Sequence, residues 1–166
     1  MIMRDEKESD VKAIAEITRA AFATCPHGNH TEQFIINALR AAGALSVSLV
    51  AELDGNVVGH VAFSPVTMSD GNPHWYGLGP VSVLPKHQRQ RIGTDLINEG
   101  LSRLKAQGAQ GCVLVGPPEY YKRFGFRNDP GLTLQGVPQE YFLALPLGEQ
   151  RARGAVAFHA GFSAQA

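Results

Sequence analysis

Apolar residues recur at helical spacing near the start of the chain and at alternate positions further on. Val11, Ile14, Ile17 and Ala21 fall on one face of a helix over Val11–Phe22. Asp10 is placed to cap it, since a carboxylate there can accept from the free first-turn amides. The string CPHGNH breaks the pattern. Thr31 is the expected cap of a second helix, with Phe34, Ile35, Ala38, Leu39 and Ala42 on its apolar face and Gly43 at its end. Ile2 to Arg4 reads as a short strand before the first helix.

From Ser46 the period changes to two. Val47, Leu49, Ala51 and Leu53 alternate through a strand to Leu53, and Asp54-Gly55-Asn56 turns it into a hairpin with Val57–Val66. Ser69–Pro73 is rich in turn formers. His74–Leu84 reads as the next strand, although Pro80 cannot donate to a sheet ladder, which predicts a bulge or lost pairing on one side. Ile92, Leu96, Leu101 and Leu104 mark the apolar face of a long helix that stops near Gly108. Gly111–Val115 is a short, nearly continuous apolar run, as expected of a strand covered on both faces. Pro118 opens a short helix through Tyr121, Phe124-Gly125-Phe126 leads back into a strand, and Pro130-Gly131 turns. Tyr141–Leu145 reads as a late strand, and the tail after Gly148 is rich in Ala and Gly.

This order predicts an α+β (mixed α/β) layer architecture, with a parallel strand–helix–strand unit between residues 76 and 115. No internal repeat or linker divides the 166 residues, so residues 1–166 are expected to form one domain. A chain of this length buries roughly 68–70% of its extended surface and needs no metal or disulfide to fold. The hydrophobic share is 44% and the charged share 18%, the balance of a globular domain. Fifteen basic residues meet fifteen acidic ones, so no overall field draws the chain to nucleic acid or an anionic membrane. The acidic start, MIMRDEKESD, lacks the apolar run of a signal peptide, and a cytoplasmic setting is expected. Cys25 and Cys112 make no disulfide framework. Cys25, His27 and His30 cluster in a loop without a third orienting group or a defined metal spacing, so neither a nucleophile–base pair nor a metal site is expected there.

Candidate chemistry begins at QRQRIG, Gln88–Gly93, where an apolar strand gives way to a helix. The first amides of a helix lack internal partners and favour an anion. Gly93 leaves room for close approach, and Arg89 and Arg91 can add charge-assisted bonds to phosphate oxygens. The pattern is neither the nucleotide loop ending in Gly-Lys-Ser/Thr nor the dinucleotide fingerprint. Taken alone, a basic turn before a helix is more often a solvated face than a ligand site. Two further strings add to it: LGPVSV, Leu78–Val83, whose Gly-Pro break precedes the loop, and EYYKRFGF, Glu119–Phe126, whose two tyrosines need polar partners.

Taken together these strings resemble the GNAT family of N-acetyltransferases. The acetyl-coenzyme A motif of that family, Gln/Arg-x-x-Gly-x-Gly/Ala, is matched by Gln88-Arg89-Gln90-Arg91-Ile92-Gly93, with Arg91 in place of the first glycine. Its Tyr-x-x-x-Gly-Phe element is matched by Tyr121 to Phe126. HVAFSPV, WYGLGPVSV and VLVGPPEYYKRFGF resemble the YhbS-like branch of predicted acetyltransferases in particular. The resemblance implies a central twisted mixed sheet with helices on both faces and a bulged fourth strand that splays from the fifth, which accounts for Pro80.

It further implies that acetyl-coenzyme A is the co-substrate. The Val81–Ser82–Val83 main chain would hold its pantetheine arm, and the loop Gln88–Gly93 with Thr94 its pyrophosphate. An amide at or near Val83 would polarise the thioester. Tyr121 would protonate the departing sulfur, a phenol of pKa about 10 being suited to a thiolate of about 8.5. The second substrate is an amine whose identity the chain does not disclose. For a base, His74 leads, with Glu52 and His60 behind it, and water can also carry the proton. Trp75 and Tyr76 line the acceptor channel or simply pack the sheet. A noncatalytic acyl-coenzyme A-binding module would use the same loop without needing Tyr121, and an interaction protein would need neither. A homodimer is left open.

Overall fold

The computed structural model describes residues 1–25 and 30–166. Its first elements follow the apolar periodicity: strand β1 (Ile2–Asp5), then helices α1 (Val11–Phe22) and α2 (Glu32–Ala41). The caps differ from expectation. Asp10 makes no side-chain bond to α1. Its carboxylate accepts instead from the Lys7 amide at 2.7 Å and from both Nη atoms of Arg4 at 2.7 and 3.1 Å. Fixing a strand to a helix start through a two-pronged, nearly buried ion pair outcompetes one capping bond. Thr31 likewise makes no side-chain cap.

A meander follows: β2 (Val47–Leu53), β3 (Asn56–Pro65), the two-residue β4 (Thr67–Met68) and β5 (Trp75–Val83). Asp54 and Gly55 take left-handed φ values of 51° and 82°, as a two-residue hairpin requires. Helix α3 (Ile92–Ala106) then crosses to β6 (Gly111–Val115), followed by the short helix α4 (Pro118–Tyr121), β7 (Arg127–Asn128), β8 (Leu132–Thr133) and β9 (Phe142–Pro146). The Ala/Gly tail carries a strand the periodicity did not reveal, β10 (Gly154–Ala157), and a 3-10 turn at Ala160–Ser163.

The central sheet has the order β1-β2-β3-β5-β6-β9-β7. Only β5 and β6 are parallel neighbours. Because β4 is a stub in a separate three-stranded sheet with β10 and β8, the fourth strand of the central sheet is β5. One face packs on α3 through Phe63, Leu96, Ile97, Leu104 and Leu114. Gly100 is what admits the Phe63 ring beneath α3, and a Cβ at Gly59 would stand only 3.1 Å from Ile92 and Leu96. The other face packs on α1 and α2 through Ile14, Ile36 and Val50, and on the small sheet through Trp75, Val113, Phe142 and Val156. Helices therefore cover both faces.

The bulge lies at Gly79–Pro80. Val61 pairs with Val81 and Phe63 with Leu78, so two residues of β5 oppose the single Ala62. The extra residue switches the facing of everything after it. Tyr76 and Leu78 point to the α3 side before the bulge, and Val81 and Val83 point there after it.

Candidate active site

Beyond the bulge β5 and β6 part. Their ladder holds Trp75, Tyr76 and Gly77 against Gly111, Cys112 and Val113, and then stops, while β6 stays paired with β9 through Val115. The ladder ends just before the bulge, where the parity of β5 switches: Pro80, like Ser82 and Leu84 after it, turns its main chain to β3, and β5 beyond it no longer keeps the register that paired it with β6.

The direction of the free groups follows from strand parity. Val66 N donates to Trp75 O at 3.0 Å and Leu84 N to Val58 O at 2.9 Å, fixing which residues bond to β3. Ser82 is one of them. Its main chain is turned to β3, and its hydroxyl is buried 3.4 Å from Thr18 Oγ1. Val81 and Val83 therefore turn their N–H and C=O groups into the seam. On the facing strand, Gly116 N donates to Tyr141 O at 2.9 Å, so the main chain of Val115 also looks into the seam.

At the end of β5 the chain bends through Gln88–Arg91 into α3. The Gln88 side chain donates to the Val83 carbonyl at 3.0 Å, tying the loop back to the seam and leaving the Val83 amide open. Arg91 occupies the N-cap position with φ 68° and gives α3 no side-chain cap. The opening amides of this 15-residue helix, those of Ile92, Gly93 and Thr94, thus face outward without a capping side chain. Ile92 itself is 3% exposed, and its side chain anchors the loop in the core. Beside the amides lies a cavity of about 420 Å³ lined by Arg89, Arg91, Gly93, Thr94, Tyr120 and Arg123, among others. Gln90 is exposed on the loop but does not line it. A methyl group added at Gly93 would meet nothing closer than 3.7 Å, so this glycine keeps open space in the cavity rather than serving internal packing.

The far wall comes from α4. Tyr120 Oη lies 3.1 Å from Thr94 Oγ1, and the Arg123 guanidinium sits 4.3 Å from the Tyr120 ring centroid. Arg123 was not singled out from sequence. Its three-residue spacing from Tyr120 on a helical turn was the available signal. Tyr121 lies deeper, edge-on to Tyr120 at 4.9 Å and to Phe126 at 6.1 Å. Burial, with a smaller contribution from Tyr120, pushes its phenol up to about 12. The phenol therefore stays protonated through the neutral range.

Residues 11–126 match the Acetyltransferase (GNAT) family. The chain is 35% identical to the uncharacterized N-acetyltransferase YhbS of Escherichia coli K12 over 127 residues, covering 76% of this chain and 73% of that protein. The chain belongs to the GNAT acetyltransferase family. Among solved structures, a GNAT acetyltransferase of Brucella melitensis in complex with acetyl-CoA is similar with a TM-score of 0.87 and 47% identity, over 97% of each chain. YhbS of Escherichia coli in complex with CoA is similar with a TM-score of 0.89 and 30% identity, over 98% of this chain and 91% of that one.

Within this GNAT fold the seam and loop bring together Val81, Val83, Gln88, Arg89, Arg91, Gly93 and Thr94. His74 is not brought to them. It is exposed, with φ 68°, at the opposite end of β5, and its carbonyl accepts from Gln110 N at 2.8 Å. The seven residues from His74 to Val81 span roughly 20 Å of strand. Glu52 is tied to Arg4 at 3.2 Å on the far edge of the sheet. His60 is fully buried against Ser48 at 2.8 Å. Trp75 packs under the small sheet and Tyr76 against the α3-side core. Of the Cys25–His27–His30 cluster, His27 lies outside the described residues.

Proposed function

We propose that the protein is an N-acetyltransferase that binds acetyl-coenzyme A in the β5–β6 seam and acetylates a primary amine directly, without an acyl-enzyme. The reading is carried by the opening of the seam beyond Gly77 and Val113, with unpaired amides on β5 running up to an uncapped helix start. The amides of Val81 and Val83 suit the extended amide-bearing arm of the coenzyme. The start of α3, with Arg89, Arg91 and Arg123 around one cavity, suits its phosphates. Two relatives of at least 30% identity were solved with acetyl-CoA or CoA, which supports the same ligand here.

Acetyl-coenzyme A supplies an activated acyl thioester. The rest falls to this chain. A preset seam amide at or near Val83 faces the carbonyl oxygen where negative charge develops, and stabilises it without reorganisation. The Tyr121 hydroxyl holds a proton for the departing sulfur. Burial raises the phenol, and it raises a thiol too: Cys112, fully buried, is pushed well above the ordinary thiol range. A sulfur leaving beside the buried Tyr121 phenol is raised by the loss of water in the same sense, which keeps the phenol a usable acid. The proton of the incoming ammonium passes to water, since none of His74, Glu52 and His60 stands in the seam.

Calorimetric titration with acetyl-coenzyme A, followed by thiol release over a panel of primary amines, tests this. Saturable binding and amine-dependent release are expected, and Tyr121→Phe should slow release about 100-fold with little change in Kd. Binding without release from any amine would leave a noncatalytic acyl-coenzyme A-binding module. No binding at all would overturn both readings.

A further inference from the structure

Four large apolar side chains stand exposed among the described residues, and one of them, Val115 at 45% exposed, borders the seam. The others are Tyr141, whose carbonyl accepts from Gly116 N on the β9 side, and Met1 and Ile2 at the chain start. A valine left bare at the end of an otherwise buried strand is not explained by packing.

Its facing is fixed by alternation. Cys112 and Leu114 point to the α3 side, and Val113 points to the opposite core with Trp75 and Phe142. Val115 therefore shares the face of Val113, which is the face covered by α1, α2 and the small sheet. The coenzyme cavity with Thr94 and Tyr120 lies on the α3 side, so Val115 borders the seam from behind.

On that rear face the C-terminal segment crosses the last paired residue. A Cβ at Gly77 would come 3.2 Å from Phe158 Cε1, so the Phe158 ring lies directly over the point where β5 and β6 divide. Phe158 is backed by Phe162 at 5.1 Å. Both belong to the tail, whose 3-10 turn packs so closely on α2 that a Cβ at Gly161 would stand 3.0 Å from Leu39. Val115 lies two residues along and one strand across from Gly77, roughly 8 Å away. Between the two side chains sits the Val115 carbonyl, turned into the seam beyond the last β5–β6 pair, Gly77 with Val113.

From this arrangement, and resting on the acetyltransferase reading above, we infer that the acceptor is a primary amine carried on an apolar or aromatic skeleton. It enters on the α1–α2 face between Phe158 and Val115. The Val115 carbonyl accepts one N–H of the neutral amine, which turns the nitrogen lone pair toward the thioester carbon. The new N–C bond forms as the C–S bond breaks, the sulfur takes the Tyr121 proton, and the amine's surplus proton leaves to water, which returns a proton to the Tyr121 phenolate. The skeleton of the amine covers Val115 and the Phe158 ring, apolar surface beside the seam.

The test measures binding and turnover separately on the intact chain saturated with coenzyme A or acetyl-coenzyme A. The probes are 2-phenylethylamine, spermidine, an aminoglycoside and a lysine-containing peptide. 2-Phenylethylamine is expected to bind the coenzyme A complex at least tenfold more tightly than spermidine, and to lead in kcat/KM by a similar factor. Phe158→Ala should raise the 2-phenylethylamine KM about tenfold with the acetyl-coenzyme A Kd unchanged. Val115→Asp, at an exposed position that folding should tolerate, should move the preference toward spermidine. Tighter binding of any of the three polar probes, or a preference that neither variant moves, overturns the inference. Tight binding of 2-phenylethylamine without any thiol release would uphold the site and overturn the catalytic reading instead.

Discussion

The ring of Tyr121 lies over the bare Cα of Gly116, where a Cβ would come within 2.6 Å of Cε2. Gly116 directly follows β6 at the mouth of the seam, so a glycine just past a strand end sets the depth of the proposed acid. Gly116→Ala should push the ring outward. The expected result is a fall in kcat of about 10- to 100-fold with the acetyl-coenzyme A Kd held within about threefold, since misplacement by an ångström is enough to lose that much. Steady-state kinetics beside calorimetry separate the two. A weakened Kd with unchanged kcat would assign Tyr121 to holding the coenzyme rather than to chemistry.

Arg91 has a backbone conformation that suits glycine better. Its φ of 68° disfavours a residue with a Cβ by roughly 1 kcal/mol. The family pattern has glycine at this position, and the chain keeps the geometry while adding a charge at the rim of the cavity. Arg91→Gly should therefore stabilise the fold by up to about 1 kcal/mol, offset in part by the flexibility of glycine in the unfolded chain. It should also weaken acetyl-coenzyme A binding several-fold and flatten its salt dependence. Denaturation midpoints and titrations at two salt concentrations check both halves. Unchanged affinity at low salt would show that the guanidinium does not reach the phosphates.

Much of this was legible in the chain, and the reasons are local. Val11–Phe22, Gly111–Val115 and Pro118–Tyr121 emerge with their expected bounds because periodicity, Gly and Pro act over a few residues. Pro80 announced the bulge for the same reason. Its consequence for side-chain facing was not legible, because the switch between Leu78 and Val81 depends on Ala62 across the hairpin. Asp10 looked like a helix cap and became the partner of Arg4, a choice set by the fold rather than by the neighbours of Asp10 in sequence. His74 was favoured for its titration range, but pKa carries no information about place, and the strand puts it at the wrong end. Arg123 and the strand at Gly154–Ala157 escaped because each depends on distant partners: Tyr120 docked against Thr94, and the ladders to β4 and β8.

Acid sensitivity should come from the buried polar cluster between β1, β2 and β3. Glu6 accepts from Arg40 at 2.7 and 3.0 Å and from Ser48, whose hydroxyl also lies 2.8 Å from His60 Nε2. Burial alone would raise the Glu6 carboxyl, but nearby His60 and the hydrogen bonds from Arg40 and Ser48 outweigh it and hold it well below the usual range. Burial lowers His60, against the opposing pull of Glu6. An imidazole that titrates lower when folded leaves the unfolded chain holding the extra proton. Its contribution is complete above about 6.5 and declines as the pH drops beneath that value. The Glu6 contribution is present above about 4.3 and is lost as the pH falls toward its depressed folded value. Both effects weaken the fold on acidification, and His60 acts first. Denaturant unfolding between roughly pH 7 and pH 5 should show falling stability in the parent and a flatter profile in His60→Gln. Glu6→Gln should cost about 1–2 kcal/mol near neutrality, because Arg40 loses a partly buried counter-charge. A parent profile that stays level down to about pH 5 would show that His60 is protonated in the folded protein, with Glu6 as its ion-pair partner 3.7 Å away.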